Sequence, residues 1–301
     1  MTTPPFAGLS VALVTPMHDD GRIHEPDLRA HVERMVAGGV DVLMPCGTTG
    51  EGVTLSPEEH AEVVRMVVET AAGRAPVVAG VGSSSTRTAC ALAEGAREAG
   101  ADGILASCPP YNRPSQAGLY GHFTAVADCA DGLPVILYNV PGRSAVNLET
   151  DTILRLAELD AFVGIKEASG SLEPVHTLLR ERPEGFLVLA GDDVMALPVI
   201  ALGGDGVVSV TGNEAPALMS RLVRAAMAGD LQEARAIHFR LLPLFRANFV
   251  ETNPVPVKTA CHRMGWMTPH VRLPLVALSG ESLDRLEAAL DAAGLPDPEE
   301  L

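Results

Sequence analysis

Lysine is almost missing from this 301-residue chain: of 22 basic residues only Lys166 and Lys258 are lysine, and the rest are arginine. Positive charge is scarce as well, since 38 acidic residues leave a formal net charge of −16. A surface of that sign repels polyanions, which argues against nucleic acid as a partner. No run of eighteen apolar residues occurs, so an ordinary membrane-spanning helix is excluded. The stretch from Met1 to Gly8 has no basic residue followed by an apolar run, and is not expected to act as a secretory signal. Five cysteines (Cys46, Cys90, Cys108, Cys129 and Cys261) form no C-x-x-C pair. An odd number so widely spaced reads as reduced thiols in a cytoplasmic protein. Also absent are G-x-x-x-x-G-K-[ST], a strand-following G-x-G-x-x-G and H-E-x-x-H. The nine histidines show no ligand spacing, so no metal site is expected, and His18, His24, His31 and His60 read as surface residues.

What is present is the composition of a packed α/β protein, 47% hydrophobic and 20% charged. Short runs rich in Val, Ile and Leu recur at Val11–Val14, Val40–Cys46, Pro76–Val81, Asp102–Cys108, Leu133–Val140, Phe162–Glu167, Phe186–Ala190 and Gly206–Val210. Their near-continuous apolar character is that of parallel strands covered on both faces. Amphipathic stretches separate them. Ser56-Pro57-Glu58-Glu59 predicts a capping box with Pro at the first helical position, and Gly73 predicts that helix's end. The joints repeat: Gly38-Gly39-Val40-Asp41, Gly100-Ala101-Asp102 and Gly203-Gly204-Asp205 each end a helix and lead into a buried run. Eight such units predict a (β/α)8 barrel over residues 1–225, with a doubly wound open sheet as the competitor. Helical patterns at Leu231–Phe245, Pro256–Met264 and Ser282–Ala293 predict a helical extension, residues 226–301, packed on the barrel.

In such a barrel the chemistry lies at the C-terminal ends of the strands. Two of three tyrosines and one of two lysines fall there. Lys166 follows Phe162-Val163-Gly164-Ile165, and alternation places it on one face with Gly164 and Ala168, in a mouth lined by small residues. A partly desolvated amine can shed its proton, attack a ketone or aldehyde and form a Schiff base, which a guanidinium cannot do. The competing reading is a snorkelling lysine or one paired with Glu167. Tyr138 ends its own strand, and its phenol suits the proton transfers of amine catalysis. Thr48 and Thr49, in Gly47-Thr48-Thr49-Gly50-Glu51, bring hydroxyls and backbone N–H groups together as a small carboxylate would require. Arg143, after Pro141-Gly142, offers a planar fork for a second carboxylate. The residues alone therefore point to an α/β barrel using Lys166 on a carbonyl compound that carries a carboxylate. Lys258 and Trp266 read only as packing residues or subunit contacts.

These residues carry a resemblance. The chain resembles the dihydrodipicolinate synthase / N-acetylneuraminate lyase family of pyruvate-dependent class I aldolases, from Leu13-Val14-Thr15-Pro16 to Asn253-Pro254-Val255-Pro256-Val257-Lys258. Two motifs carry most of it, Gly47-Thr48-Thr49-Gly50-Glu51 and Tyr138-Asn139-Val140-Pro141 with Gly164-Ile165-Lys166-Glu167-Ala168. Arg143 and Tyr111-Asn112-Arg113-Pro114 are most similar to members that condense pyruvate with L-aspartate 4-semialdehyde. The resemblance implies a lyase in which Lys166 forms the Schiff base and Tyr138 moves protons in a relay with Thr49 and with Tyr111 of a neighbouring subunit. It implies that Thr48 and Thr49 hold the pyruvate carboxylate, that Arg143 binds that of the semialdehyde and that the backbone near Val208 lines the pocket. No metal or organic cofactor is implied, and a homotetramer built as a dimer of dimers is. Alternatives on the same lysine are a 2-keto-3-deoxy-sugar-acid or 4-hydroxy-2-oxoglutarate aldolase; a non-catalytic keto-acid binder is a third. Pro110 stands where many members have a second Tyr, Gly52 where Ser is common, and Ser84 and Thr88 where lysine-inhibited members carry Asn and Glu. His60 is retained, but without the carboxylate at 88 the resemblance implies weak or absent inhibition by L-lysine.

Overall fold

Each apolar run forms a strand because its residues alternate between two covered faces. In the computed structural model, which describes residues 6–296, the strands are β1 (Gly8–Ala12), β2 (Val42–Met44), β3 (Val78–Gly80), β4 (Gly103–Ser107), β5 (Val135–Asn139), β6 (Phe162–Glu167), β7 (Leu187–Ala190) and β8 (Gly206–Ser209). The helices are α1 (Glu25–Ala37), α2 (Pro57–Ala71), α3 (Thr86–Glu98), α4 (Gln116–Ala130), α5 (Pro141–Ser144), α6 (Thr150–Ala157), α7 (Leu172–Glu181), α8 (Asp193–Ala201), α9 (Pro216–Met227), α10 (Leu231–Ala247), α11 (Val255–Arg263) and α12 (Gly280–Ala293). The sheet runs β2-β1-β8-β7-β6-β5-β4-β3, every pair parallel. A parallel bridge between Leu43 and Val77 joins its two ends. The molecule is a (β/α)8 barrel with three further helices after α9, and the open sheet is excluded.

The alternation sorts side chains into two cores. On β5, Val135 and Leu137 face the helices, whereas Ile136 and Tyr138 face the barrel interior with Leu105, Leu187, Leu189 and Val208. Phe6 is packed into the same interior cluster. β1 begins three residues before the apolar run predicts. Ser10, which immediately precedes that run, is fully buried opposite Val208 in the register of β1 and β8, so a small polar residue fits a strand position that hydrophobicity alone does not mark.

The repeated joints have a repeated physical role. Asp41 accepts the Leu9 N–H at 2.8 Å, Asp102 the Val77 N–H at 2.8 Å, and Asp205 the Val188 N–H at 2.8 Å. A carboxylate ahead of one strand thus satisfies a backbone donor at the start of its neighbour, where ladder bonds have not yet begun. The capping box at Ser56 is formed, with Glu59 accepting the Ser56 N–H at 2.9 Å. That helix ends one residue earlier than its sequence predicts, because Ala72 is already left-handed. Beyond the barrel, α10 packs on α8, α9 and α12, and α11 on α12. No helix among the described residues is long and apolar enough to cross a membrane.

Candidate active site

Lys166 and Tyr138 are opposite one another in the parallel register of β5 and β6. Facing residues of paired strands share a face, so both project into the barrel interior. Lys166 is 6% exposed and Tyr138 7%, and the Lys166 Nζ lies 4.3 Å from the centre of the Tyr138 ring. Leu189 flanks the lysine on β7. Glu167, the partner in the competing reading, points to the opposite face. Its carboxylate accepts from Asn139 Nδ2 at 3.0 Å and from the Ser169 backbone at 2.6 Å. Among the described residues no carboxylate forms an ion pair with Lys166, which leaves the amine directed at whatever enters the mouth.

The turn after β2 supplies the next group. Glu51 N–H bonds to the Thr48 carbonyl at 3.1 Å and Gly52 N–H to the Gly47 carbonyl at 3.1 Å, which folds Gly47–Gly52 into a tight turn. Glycine is required at two of its positions: a Cβ on Gly50 would press on the Cys46 amide and the Leu13 carbonyl, and one on Gly52 would run into the Cys46 carbonyl. Thr48 is half-buried and Thr49 buried. A cavity of about 60 Å³ is lined by Gly80, Ser107 and Tyr138 near the strand ends and by Thr48 and His60.

Three tethers hold this turn. Thr15 donates its hydroxyl to the Gly50 carbonyl at 2.7 Å. Asn253 Nδ2 donates to Thr49 Oγ1 at 2.9 Å. Lys258 Nζ donates to Glu51 Oε1 at 2.7 Å and to the Thr15 carbonyl at 2.9 Å, with Lys258 wholly buried. Lys258 is therefore neither a simple packing residue nor a subunit contact. Burial lowers its pKa, and the Glu51 carboxylate opposes that shift. Sequence reasoning missed Asn253 as well, although both lie in the stretch that carries the family resemblance. Trp266 packs under the Arg34 guanidinium, 4.0 Å from the ring centre.

Other predicted site residues are placed differently. Val208 lies in β8 and faces the interior. Arg143 is exposed on the short helix α5 after β5. Tyr111 is 92% exposed and holds a left-handed backbone with φ of 75°. Its loop is fixed by Asn112, which donates to the Ser84 carbonyl at 3.0 Å. A single chain forms no hydrogen bond between Tyr138 and either Thr49 or Tyr111 among the described residues.

Two expectations are corrected. His31 and His60 are not surface residues: both are buried, with His31 Nε2 at 2.9 Å from Asn213 Oδ1 and His60 Nε2 at 2.7 Å from the Gly80 carbonyl. The signal was the helix face. His31 lies in line with Leu28, Val32 and Met35, and His60 with Val63, Val64 and Val67. Burial pushes the Cys108 thiol up to about 12, helped by the Glu167 charge, and pushes Cys46 up as well. Neither thiol at this end of the barrel is poised as a nucleophile beside Lys166.

A parallel barrel with a buried amine at its mouth, packed on a tyrosine, defines a class of protein: an α/β barrel equipped to engage a carbonyl compound through lysine. The chain belongs to the dihydrodipicolinate synthetase family, whose sequence profile matches residues 5–293. It is 48% identical over 297 residues to the 4-hydroxy-tetrahydrodipicolinate synthase of Acidovorax sp. (strain JS42), covering 98% of this chain and 100% of that protein. It is 49% identical over 290 residues to the enzyme of the same name from Azoarcus sp. (strain BH72), covering 96% and 99%. The crystal structure of dihydrodipicolinate synthase from Aquifex aeolicus superposes with a TM-score of 0.94 at 42% identity, over 97% of this chain and 100% of that one.

Proposed function

We propose that this chain is a lyase that condenses pyruvate with L-aspartate 4-semialdehyde to give 4-hydroxy-tetrahydrodipicolinate, on the route to diaminopimelate and lysine. The observation that carries the reading is the buried Lys166 amine, which forms no ion pair among the described residues and packs on Tyr138. The neutral amine adds to the ketone carbon of pyruvate, and loss of water from the carbinolamine gives the imine. Loss of a methyl proton makes the enamine, whose carbon attacks the aldehyde. The amino group of the semialdehyde then displaces Lys166 from the imine carbon, closing the ring and restoring the free amine.

Each step moves a proton, and Tyr138 is the group beside the amine that can carry it. Thr49 and Tyr111 extend the relay, with Tyr111 coming from a second copy of the chain. An aromatic that is 92% exposed on a backbone held at positive φ suits a task performed on a neighbour. The physiological unit is accordingly a homotetramer, a dimer of dimers. Thr48 and Thr49 hold the pyruvate carboxylate, and Val208 lines the pocket. Arg143 takes the carboxylate of the semialdehyde, and its exposure on α5 leaves it open to an incoming ligand. Residues 226–301 act as an extension of the barrel, since Asn253 and Lys258 reach into the turn after β2. The chemistry calls on no metal or organic cofactor, and the compartment is the cytoplasm.

The test is steady-state turnover of pyruvate with L-aspartate 4-semialdehyde, set beside 2-keto-3-deoxy sugar acids and 4-hydroxy-2-oxoglutarate. Turnover of the semialdehyde is expected to dominate. Arg143→Ala should raise KM for the semialdehyde by roughly 10- to 100-fold, the range of a lost charge-assisted hydrogen bond, and leave KM for pyruvate nearly unchanged. Preferred cleavage of a sugar acid would replace this reading with the aldolase one.

A further inference from the structure

The turn after β2 is tied at three successive residues, and two of the ties come from the far end of the chain. Gly50 is held through its carbonyl by Thr15, and Glu51 through its carboxylate by Lys258. Both are anchors of backbone position. The tie at Thr49 differs in kind, because it falls on the hydroxyl that the proposed function places in the proton relay.

A threonine hydroxyl has one hydrogen to donate and two lone pairs. At Thr49 one lone pair receives the Asn253 Nδ2 hydrogen at 2.9 Å. The hydroxyl hydrogen cannot be spent on the same partner, and no other acceptor among the described residues takes it. Thr49 is 3% exposed and Asn253 4%, so water does not compete freely for either group. Asn253 itself is oriented at some cost: its Oδ1 is buried and makes no hydrogen bond among the described residues. Its position is fixed from the C-terminal side, where α11 begins at Val255 and Lys258 pins that helix to Glu51 and to the Thr15 carbonyl.

We infer that Asn253 is a positioning residue: by donating to Thr49 Oγ1 it sets the polarity of that hydroxyl, so that Thr49 offers its hydrogen to the barrel mouth. The inference rests on the assignment of Thr49 to the relay. Its chemical content is directional. An amide N–H facing Thr49 makes the hydroxyl a donor toward the substrate side, whereas a carboxylate in the same place would draw the hydrogen inward.

The test is a double-mutant cycle on the intact enzyme, with kcat measured at saturating pyruvate so that altered pyruvate affinity does not enter. Five variants are needed: Thr49→Val, Asn253→Ala, Asn253→Asp and each of the two Asn253 substitutions combined with Thr49→Val. Asn253→Asp is nearly isosteric and reverses the polarity; it should lower kcat by roughly 100-fold, within the range of lost general acid–base assistance. Asn253→Ala should cost less, roughly 10-fold, with KM for pyruvate within about threefold of wild type, because the hydroxyl is left unguided rather than turned inward. Combined with Thr49→Val, neither substitution should lower kcat further, since the group being oriented is gone. Asn253→Ala carries the same cycle if the aspartate variant fails to fold. Additive losses in the double variants, or retention of kcat in both single Asn253 variants, would overturn the inference while leaving the relay intact. Retention of kcat in Thr49→Val would overturn the relay assignment itself, and the inference with it.

Discussion

Position 31 holds an imidazole with no access to water. Burial lowers the His31 pKa to about 4, against the opposing effect of its hydrogen bond to Asn213. Asn213 Oδ1 also accepts the Val14 N–H at 3.1 Å, so His31 donates from Nε2 as a neutral ring. In the unfolded chain the ring titrates near 6.5. Between those values the unfolded state binds a proton that the native state refuses, so stability is complete above about pH 6.5 and is lost as pH falls toward 4. The loss approaches roughly 3 kcal/mol. Urea unfolding at a series of pH values should show this decline, and His31→Gln, which keeps a donor without a proton equilibrium, should flatten it. His60, His122 and His238 are shifted in the same direction by burial, so the variant reduces the slope rather than abolishing it. Residues 84 and 88 carry a second expectation at this scale. Thr88 is exposed near the start of α3 and offers a hydroxyl, not a carboxylate, to an amino-acid ligand. L-Lysine should inhibit weakly or not at all in a steady-state assay; full inhibition at low lysine concentration would contradict this.

Among the elements, the turn after β2 depends most on distant parts of the chain. Glu51 has a left-handed backbone, and its carboxylate is buried against Lys258 while also accepting the Arg272 N–H at 3.0 Å. Removing one member of a buried ion pair strands the other charge, at a cost of about 3–5 kcal/mol. Lys258→Met should therefore lower the unfolding free energy by that amount and loosen the turn that carries Thr48 and Thr49. Glu51→Gln combined with Lys258→Met should recover part of the loss, because no unpaired charge remains; chemical denaturation of the two variants decides it. The same element shows where sequence reading stops. Gly47-Thr48-Thr49-Gly50-Glu51 was legible as a turn because glycine and hydroxyl residues have strong local preferences. The Lys258 partner was not legible, because it lies 207 residues from Glu51 and no periodicity connects them. The buried histidines were missed for another reason. Histidine as a residue type is intermediate in burial and does not itself mark the core, whereas His31 and His60 both fall on the apolar face of their helices.

For the molecule as a whole, the barrel was readable from repetition. Eight apolar runs with Gly-Asp joints anticipate eight parallel strands, and their order around the sheet follows from the short connections of that fold. Lys166 was readable from scarcity, since arginine supplies nearly all other positive charge. What composition cannot supply is how the last helices meet the first turns. Asn253 and Lys258 complete the strand-end turn from beyond the eighth strand, so the helices after the barrel are part of the site's architecture. The central claim is that this architecture presents Lys166 as the amine that takes pyruvate. Intact-protein mass spectrometry after borohydride reduction in the presence of pyruvate tests it most directly. The account predicts one reduced pyruvyl adduct per chain in the wild type and none in Lys166→Ala. An adduct that persists in the variant, or no adduct in the wild type, would contradict it.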